Sequence, residues 1–184
     1  MKSLIPAIAI AAGGLLGLAS FGAQASDGTI TFTGTLSDTT CSINGIASGT
    51  PVTSAVTLPE VSASTLGVAG ATAGRSAPIP LELTGCSGTA TKAVAYFESS
   101  PNVDQANGYL TNTGGTAKNV DVRLLNASFQ PINILTAENN HIAANGATIS
   151  AGAASLKYYG EYFATGAATA GTVNTSVSYT MQYQ

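Results

Sequence analysis

The end of the sequence shows the clearest hydrophobic pattern. In TVNTSVSYTMQYQ, residues 172–184, apolar and polar side chains alternate. The apolar positions are Val173, Val177, Tyr179, Met181 and Tyr183. A period of two predicts a β-strand with one buried face. Because this strand runs to the last residue of the sequence, we expect its open edge and apolar face to be covered by something other than a later strand.

A second alternating segment lies near the other end, in GTITFTGTL, residues 28–36. One face carries Ile30, Phe32, Gly34 and Leu36, and the other face carries four threonines. This pattern predicts another strand. It could pair with the C-terminal strand of the same chain, which would give a self-contained domain, or with a different molecule.

The residues between these two strands predict a succession of short strands. They are expected near residues 39–43, 77–86, 91–99, 120–124, 145–150 and 155–165, with Asn-Gly turns at 44–45, 107–108 and 145–146. Residues 51–61 resemble an edge strand broken by Pro51 and Pro59, and residues 62–76 are expected to form a loop. About seven short strands separated by turns predict a β-sandwich of the immunoglobulin type.

Composition supports this fold class. Of the 184 residues only 8 % are charged, and the chain is rich in Thr, Ser, Gly and Asn. These residues favour strands and turns, so we expect one all-β domain. The net charge is −3, and no basic stripe is present, which argues against nucleic acid as a partner.

The first 25 residues differ from the rest. Lys2 precedes a largely apolar stretch that ends in Ala-Gln-Ala. This predicts a secretory signal peptide over residues 1–25, cleaved between Ala25 and Ser26. A retained membrane anchor is the competing interpretation.

Two cysteines, Cys41 and Cys86, follow the predicted cleavage site. In an exported protein they predict a disulfide, and two free buried thiols are the alternative. Closing a loop of about 45 residues stabilises the fold by about 4 kcal/mol in the chain-entropy treatment.

The sequence contains no recognisable catalytic set. His141 lies in a polar stretch and is expected in a surface loop, and no G-x-S-x-G nucleophile motif occurs. One histidine and two distant cysteines do not make a metal site. We therefore expect no enzyme activity, no cofactor and no small-molecule substrate.

Together these motifs resemble the subunits of chaperone–usher fimbriae, specifically the type 1-like shaft pilins. GTITFTGTL is similar to the N-terminal extension of that family, with Gly34 at the position of its fixed glycine. Cys41 and Cys86, with the preceding IPLELTGC, resemble the family's disulfide. The C-terminal segment is similar to the family's terminal motif, with Gly171 fourteenth from the end and Tyr183 penultimate.

The resemblance implies an incomplete immunoglobulin-like sandwich over residues 38–184 that lacks its last strand. A donor strand, residues 26–37 of a neighbouring subunit, would complete it through Ile30, Phe32, Gly34 and Leu36. The implied acceptor and chaperone-binding residues are Gly171, Val177, Tyr179, Met181, Tyr183 and Gln184. The implied partners are related pilins, a periplasmic chaperone and an outer-membrane usher, and the implied location is a fimbria at the cell surface, used for attachment.

Two alternatives stay open at this point. One is a minor adaptor or adhesive pilin of the same system. The other is a monomeric secreted immunoglobulin-like binding module, in which the two terminal strands pair within one chain.

Overall fold

The computed structural model describes residues 30–34, 36 and 38–184. The chain divides into two compact units, Met1–Thr35 and Leu36–Gln184. The predicted signal peptide, and its cleavage site between Ala25 and Ser26, lie outside the described residues. Within the described residues, no helix has the length and apolar character needed to cross a membrane.

The described residues of the first unit, 30–34, form neither helix nor strand. The side chains of Ile30 and Phe32 are 81 % and 90 % exposed. In the second unit, Leu36 is also fully exposed and outside any strand. The alternating pattern predicted a strand here. A strand is assigned only where its backbone groups find a partner, and these residues have none in the structure.

Within residues 38–184 the structure has ten β-strands, more than the seven expected. They are β1 (Thr40–Ile43), β2 (Thr72–Ala73), β3 (Ile79–Ser87), β4 (Lys92–Phe97), β5 (Leu110–Thr111), β6 (Val120–Leu125), β7 (Pro131–Ile132), β8 (Ala147–Thr148), β9 (Ala154–Ala164) and β10 (Tyr179–Tyr183). Four of them are only two residues long, which is too short for periodicity to reveal. The helical elements are two 3₁₀ helices, Ala63–Leu66 and Glu138–Asn140, and a single α-helical turn, α1 (Ile142–Asn145).

The strands form two antiparallel sheets. The larger sheet has the order β1-β3-β9-β6-β5, and β2 also pairs with β9 and β7 with β6. The smaller sheet has the order β10-β4-β8, which places β10 at its edge. The fold is therefore all-β, as the composition indicated.

The core lies between the two sheets. Buried residues of β4 face buried residues of β9 and β6, and the ring of Phe97 meets the ring of Tyr158 edge-on with centroids 5.0 Å apart. The Tyr158 hydroxyl accepts a hydrogen bond from the backbone N–H of Ala95 (3.3 Å). In β6, Val120, Val122 and Leu124 are buried on one face, and Leu125 on the opposite face is buried as well.

Cys41 and Cys86 form the predicted disulfide, which joins β1 to β3. The Asn44–Gly45 turn is also confirmed. Both residues have positive φ (50° and 78°), and Ile43 and Ile46 exchange two backbone hydrogen bonds of 2.9 Å. Positive φ at both central positions is what a two-residue hairpin requires.

Two local expectations were wrong. The Asn145–Gly146 pair does not form a hairpin turn, because it ends α1 and Gly146 has a φ of −74°. The predicted loop at 62–76 contains a 3₁₀ helix and β2, and Leu66 is buried in it. In the 62–76 segment, the burial of Leu66 accompanies this structure, although the small residues around it carry no periodic signal.

Asp121 is a buried carboxyl group on β6. The side-chain amide of Asn107 donates to Asp121 Oδ2 (3.0 Å) and to Asp104 Oδ2 (2.8 Å). Burial raises the pKa of Asp121, the hydrogen bond from Asn107 opposes this, and the charge of Asp104 adds to it. A carboxyl group whose pKa is raised by folding is accommodated best in the folded state when it is protonated. The free energy of unfolding therefore falls as the pH rises through the folded pKa.

Asp121→Asn is therefore expected to flatten the pH dependence of the unfolding free energy above about pH 4. The measurement is denaturant unfolding at several pH values between about 4 and 7. Glu138→Gln, at an exposed position, is the control for the loss of one carboxylate. An Asp121→Asn protein with the pH profile of the unsubstituted protein would contradict the assignment.

Candidate functional site

The C-terminal segment keeps the predicted alternation over its whole length, although β10 itself is short. From residue 173 to residue 183 the odd-numbered side chains are half-buried and the even-numbered ones are exposed. Only Tyr179–Tyr183 pairs with β4 as a regular ladder. An apolar stripe that is only half-buried along eleven residues is the mark of a strand with one neighbour missing.

Hydrogen bonds show which edge of this segment is open. The even-numbered residues turn towards the body of the domain: the carbonyl of Asn174 accepts from Gly114 N–H (3.0 Å), and that of Ser178 accepts from Glu98 N–H (2.9 Å). Backbone groups of successive strand residues point in opposite directions. The odd-numbered residues therefore present their N–H and C=O groups on the other side, where the described part of the chain places no strand.

A second open backbone lies across from this edge, in residues 51–61. Within the described residues, this segment belongs to no element and makes no hydrogen bond through backbone or side chain. Pro51 and Pro59 have no N–H group, so they limit ladder formation to the residues between them. The broken edge segment predicted here is thus present as an unpaired chain.

Between these two segments runs a cleft of about 760 Å³, named here the apolar groove. Its walls are residues 50–58 on one side and residues 173–179 with Met181 on the other. Its floor is made of side chains from β3, β4, β6 and β9, including Ile79, Leu81, Phe97, Val122, Leu124 and Tyr158. The groove is therefore the unfinished part of the core between the two sheets.

No charged side chain of the described residues lines the apolar groove. The Tyr179 hydroxyl and Thr175 Oγ1 are buried and lack a hydrogen-bond partner within the described residues. Burial raises the pKa of Tyr179, so its hydroxyl stays neutral at physiological pH. A site of this kind can bury an apolar stripe and form backbone hydrogen bonds on two sides.

Apart from Gly171, the predicted acceptor residues divide into two groups. Val177, Tyr179 and Met181 line the apolar groove. Tyr183 packs against the core beyond it, and the Gln184 carbonyl accepts hydrogen bonds from backbone N–H groups at the start of β4, with the one from Lys92 at 2.9 Å.

Gly171 lies in a smaller cavity of about 180 Å³, which shares Val173 and Tyr162 with the groove. A Cβ atom at position 171 would collide with the backbone of Ala117. Glycine at this position allows the chain to pass close to Ala117 as it enters the C-terminal segment. It therefore affects the groove through the path of the backbone that forms this wall.

Sequence reasoning missed the floor of the groove and most of the opposite wall. Val52 and Leu58 form part of that wall, and the two prolines beside them were the available signal. The floor residues come from four strands far apart in sequence, and each of them looks like an ordinary core residue.

A family model described as Fimbrial protein matches residues 30–184. This chain belongs to the fimbrial protein family. The fimbrial subunit is 42 % identical over 176 residues to the major fimbrial subunit SMF-1 of Stenotrophomonas maltophilia (strain K279a), covering 92 % of this chain and 99 % of that protein. It is 38 % identical to the F17 fimbrial protein of Escherichia coli, covering 93 % and 96 % of the two chains.

Among solved structures, the fimbrial subunit resembles the P pilus rod subunit PapA with a TM-score of 0.51 and 18 % identity, covering 78 % of this chain and 99 % of that one. The likeness confirms an all-β pilin fold of the immunoglobulin type. The protein is a structural subunit of a fimbria at the cell surface, where it assembles with other pilin subunits.

Proposed function

We propose that this subunit polymerises by donor-strand exchange, in which residues 26–37 of one copy fill the apolar groove of the next. The observation that supports this is the groove itself, an apolar floor between two backbone segments with open hydrogen-bonding edges. A β-strand with one apolar face matches both requirements at once.

The donor segment has the complementary character. Ile30, Phe32 and Leu36 are exposed and all fall on even-numbered positions, with Gly34 between the last two, so in an extended chain they point to one side. Residues 30–36 span about 20 Å as a strand, which is shorter than the wall formed by residues 173–183. Each buried apolar side chain contributes about 1.5–3 kcal/mol, and each ladder hydrogen bond a further 0.5–1.5 kcal/mol or so.

Such a contact joins different surfaces of two identical molecules. A head-to-tail contact that does not close on itself generates an open filament. A shaft subunit needs nothing more than one donor segment and one groove, and it acts as a structural protein rather than as an enzyme.

The proposal includes the route to assembly. An unfilled groove exposes apolar surface and strand edges that favour aggregation. After export with its signal peptide, the subunit would be held in the periplasm by a chaperone whose strand covers Val177, Tyr179 and Met181 and which contacts Gln184. At the outer-membrane usher, the donor segment of the next subunit would displace that strand.

The decisive experiment compares two proteins, residues 26–184 and residues 37–184, in the presence of a synthetic peptide of residues 27–37. The shorter protein is expected to unfold at low temperature and to gain a large increase in Tm when the peptide binds, as mass action requires. A scrambled peptide of the same composition is the control. A stable monomer that ignores the peptide would identify a self-contained secreted module instead.

Gly34→Val is expected to slow assembly without weakening the free subunit. A side chain at position 34 meets no atom within 4 Å in the structure, so the Tm of the isolated protein should not change. In the bound state, a branched side chain would need space next to the groove that glycine leaves free. The measurement is the rate of peptide insertion, using peptides with Gly or Val at this position.

An equal insertion rate for the two peptides would contradict a close approach at Gly34. A lower Tm of the isolated Gly34→Val protein would show instead that the residue supports its own subunit.

A further inference from the structure

A second surface lies on the outer face of the larger sheet, opposite the groove. In β9 the even-numbered residues Tyr158, Gly160 and Tyr162 line the groove. Side chains of a strand alternate between faces, so Tyr159, Glu161 and their odd-numbered neighbours point outward. An aromatic residue with a left-handed backbone conformation packs against this outer face.

That residue is Phe129, in the loop between β6 and β7. Its ring lies 4.9 Å from the ring of Tyr159, between centroids, and the guanidinium carbon of Arg75 lies 4.2 Å from the Phe129 centroid. The three side chains form one layered group, named here the Arg75–Phe129–Tyr159 stack. Phe129 is nevertheless 48 % exposed.

The backbone at Phe129 is strained. Its φ is 60°, a left-handed conformation that is unfavourable for a bulky residue. The loop enforces it: Asn126 Oδ1 accepts from Ser128 N–H (2.9 Å) and Gln130 N–H (3.0 Å), and Phe129 N–H donates to the Asn126 carbonyl (2.9 Å). Strain of this kind is unfavourable in the folded state and is concentrated at functional positions.

Arg75 is exposed, and within the described part of the chain it forms no ion pair. Its neighbour on the same face, Arg123, is neutralised by Glu161 at 2.6 Å. A guanidinium that lies over an aromatic ring keeps the N–H groups at its edge free, in the geometry that binds a carboxylate with two hydrogen bonds. The stack therefore presents a fixed and unused carboxylate-binding group.

We propose that the Arg75–Phe129–Tyr159 stack binds a surface carboxylate of a second copy of this chain in the assembled fimbria. Every copy brings such carboxylates, because the sequence has nine acidic residues against six basic ones. This inference rests on the proposed polymerisation, which holds many copies together at high effective concentration. It concerns a contact separate from the groove.

The test uses intact fimbriae built from an Arg75→Lys variant. A carbodiimide couples a lysine amine to a carboxylate only when the two are in direct contact. Treated fimbriae are expected to yield covalent dimers that survive boiling in detergent, with the peptide containing position 75 joined to an acidic peptide. Fimbriae with Arg at position 75 should not give that cross-linked peptide, because a guanidinium does not react.

A companion variant separates an interface role from a purely structural one. Adding Phe129→Gly to the Arg75→Lys protein removes the ring and also relieves the backbone strain. We expect the yield of the dimer linked through position 75 to fall at least fivefold or so while the Tm of the subunit stays equal or rises. A lower Tm with an unchanged yield would show that the stack only supports its own loop.

The outcomes distinguish the two proposals. If head-to-tail ladders are absent from unboiled samples, polymerisation by strand exchange has failed. If ladders are normal but position 75 links only within its own chain, or not at all, the second-copy contact is wrong. Loss of binding to acidic glycans by Arg75→Glu fimbriae, with no cross-link in the Arg75→Lys variant, would assign the stack to an external ligand instead.

Discussion

Phe32→Asp is expected to abolish fibre growth while the subunit still folds. Phe32 is 90 % exposed in the structure, so the substitution removes little buried apolar surface from the free subunit. In the proposed complex the same side chain enters a groove without charged residues. The change would forfeit about 1.5–3 kcal/mol of apolar burial, and an unpaired carboxylate would in addition cost several kcal/mol to desolvate.

The matched control is Thr33→Asp, which adds the same charge one residue further along, on the opposite face of the extended chain. Assembly is read from the detergent-resistant ladder of unboiled samples on gels and from electron microscopy of fimbriae. Normal fibres from Phe32→Asp would overturn the donor role of this segment. If both variants lose fibre formation equally, the added charge itself prevents assembly, regardless of the face on which it lies.

Replacing Cys41 and Cys86 together by alanine is expected to lower the unfolding free energy by about 4 kcal/mol. The disulfide closes a loop with a sequence separation of 45 and joins β1 to β3 at the margin of the larger sheet. Without it, the unfolded chain gains conformational freedom, and β1 depends on its ladder with β3 alone. A loss of this size matters because the total stability of a domain is small.

The measurement is denaturant unfolding of the groove-filled complex, with and without the cysteines. Reduction of the unsubstituted protein by dithiothreitol should give the same shift, which controls for effects of the alanine side chains. A change below about 1 kcal/mol would mean that β1 and β3 stay associated in the unfolded ensemble.

The long strands of this fold could be predicted because each follows one periodicity. β3, β4, β6 and β9 all coincide with segments expected from alternation or from β-branched and aromatic content. Of the two-residue strands, β8 falls in a segment that was expected to form a strand. The strands β2, β5 and β7 and the 3₁₀ helices could not be predicted, since they depend on contacts such as the burial of Leu66 that only the complete fold creates. Asn44 and Gly45 were readable because their turn depends on local chemistry.

The candidate site was predictable only in part. The wall carrying Val177, Tyr179 and Met181 shows its alternation in the sequence, and so does the proposed donor segment. The floor of the groove could not be recognised in the sequence, because Phe97 and Tyr158 are apolar or aromatic residues as deeply buried as ordinary core residues. They form a binding site because the described part of the chain places no strand over them. In the sequence, this is visible only as two alternating segments for which no partner strand is found.

Hydrogen exchange in the unpaired segment between Pro51 and Pro59 should show whether the groove of a given subunit is filled. The segment's amide protons have no acceptor among the residues that the structure describes, so in a lone subunit they should exchange with deuterated solvent almost as fast as in an unstructured peptide. Once a strand lies beside them they become protected. Deuterium uptake measured for this short peptide would therefore give the fraction of filled and empty subunits in a preparation of native fimbriae, without any label or tag.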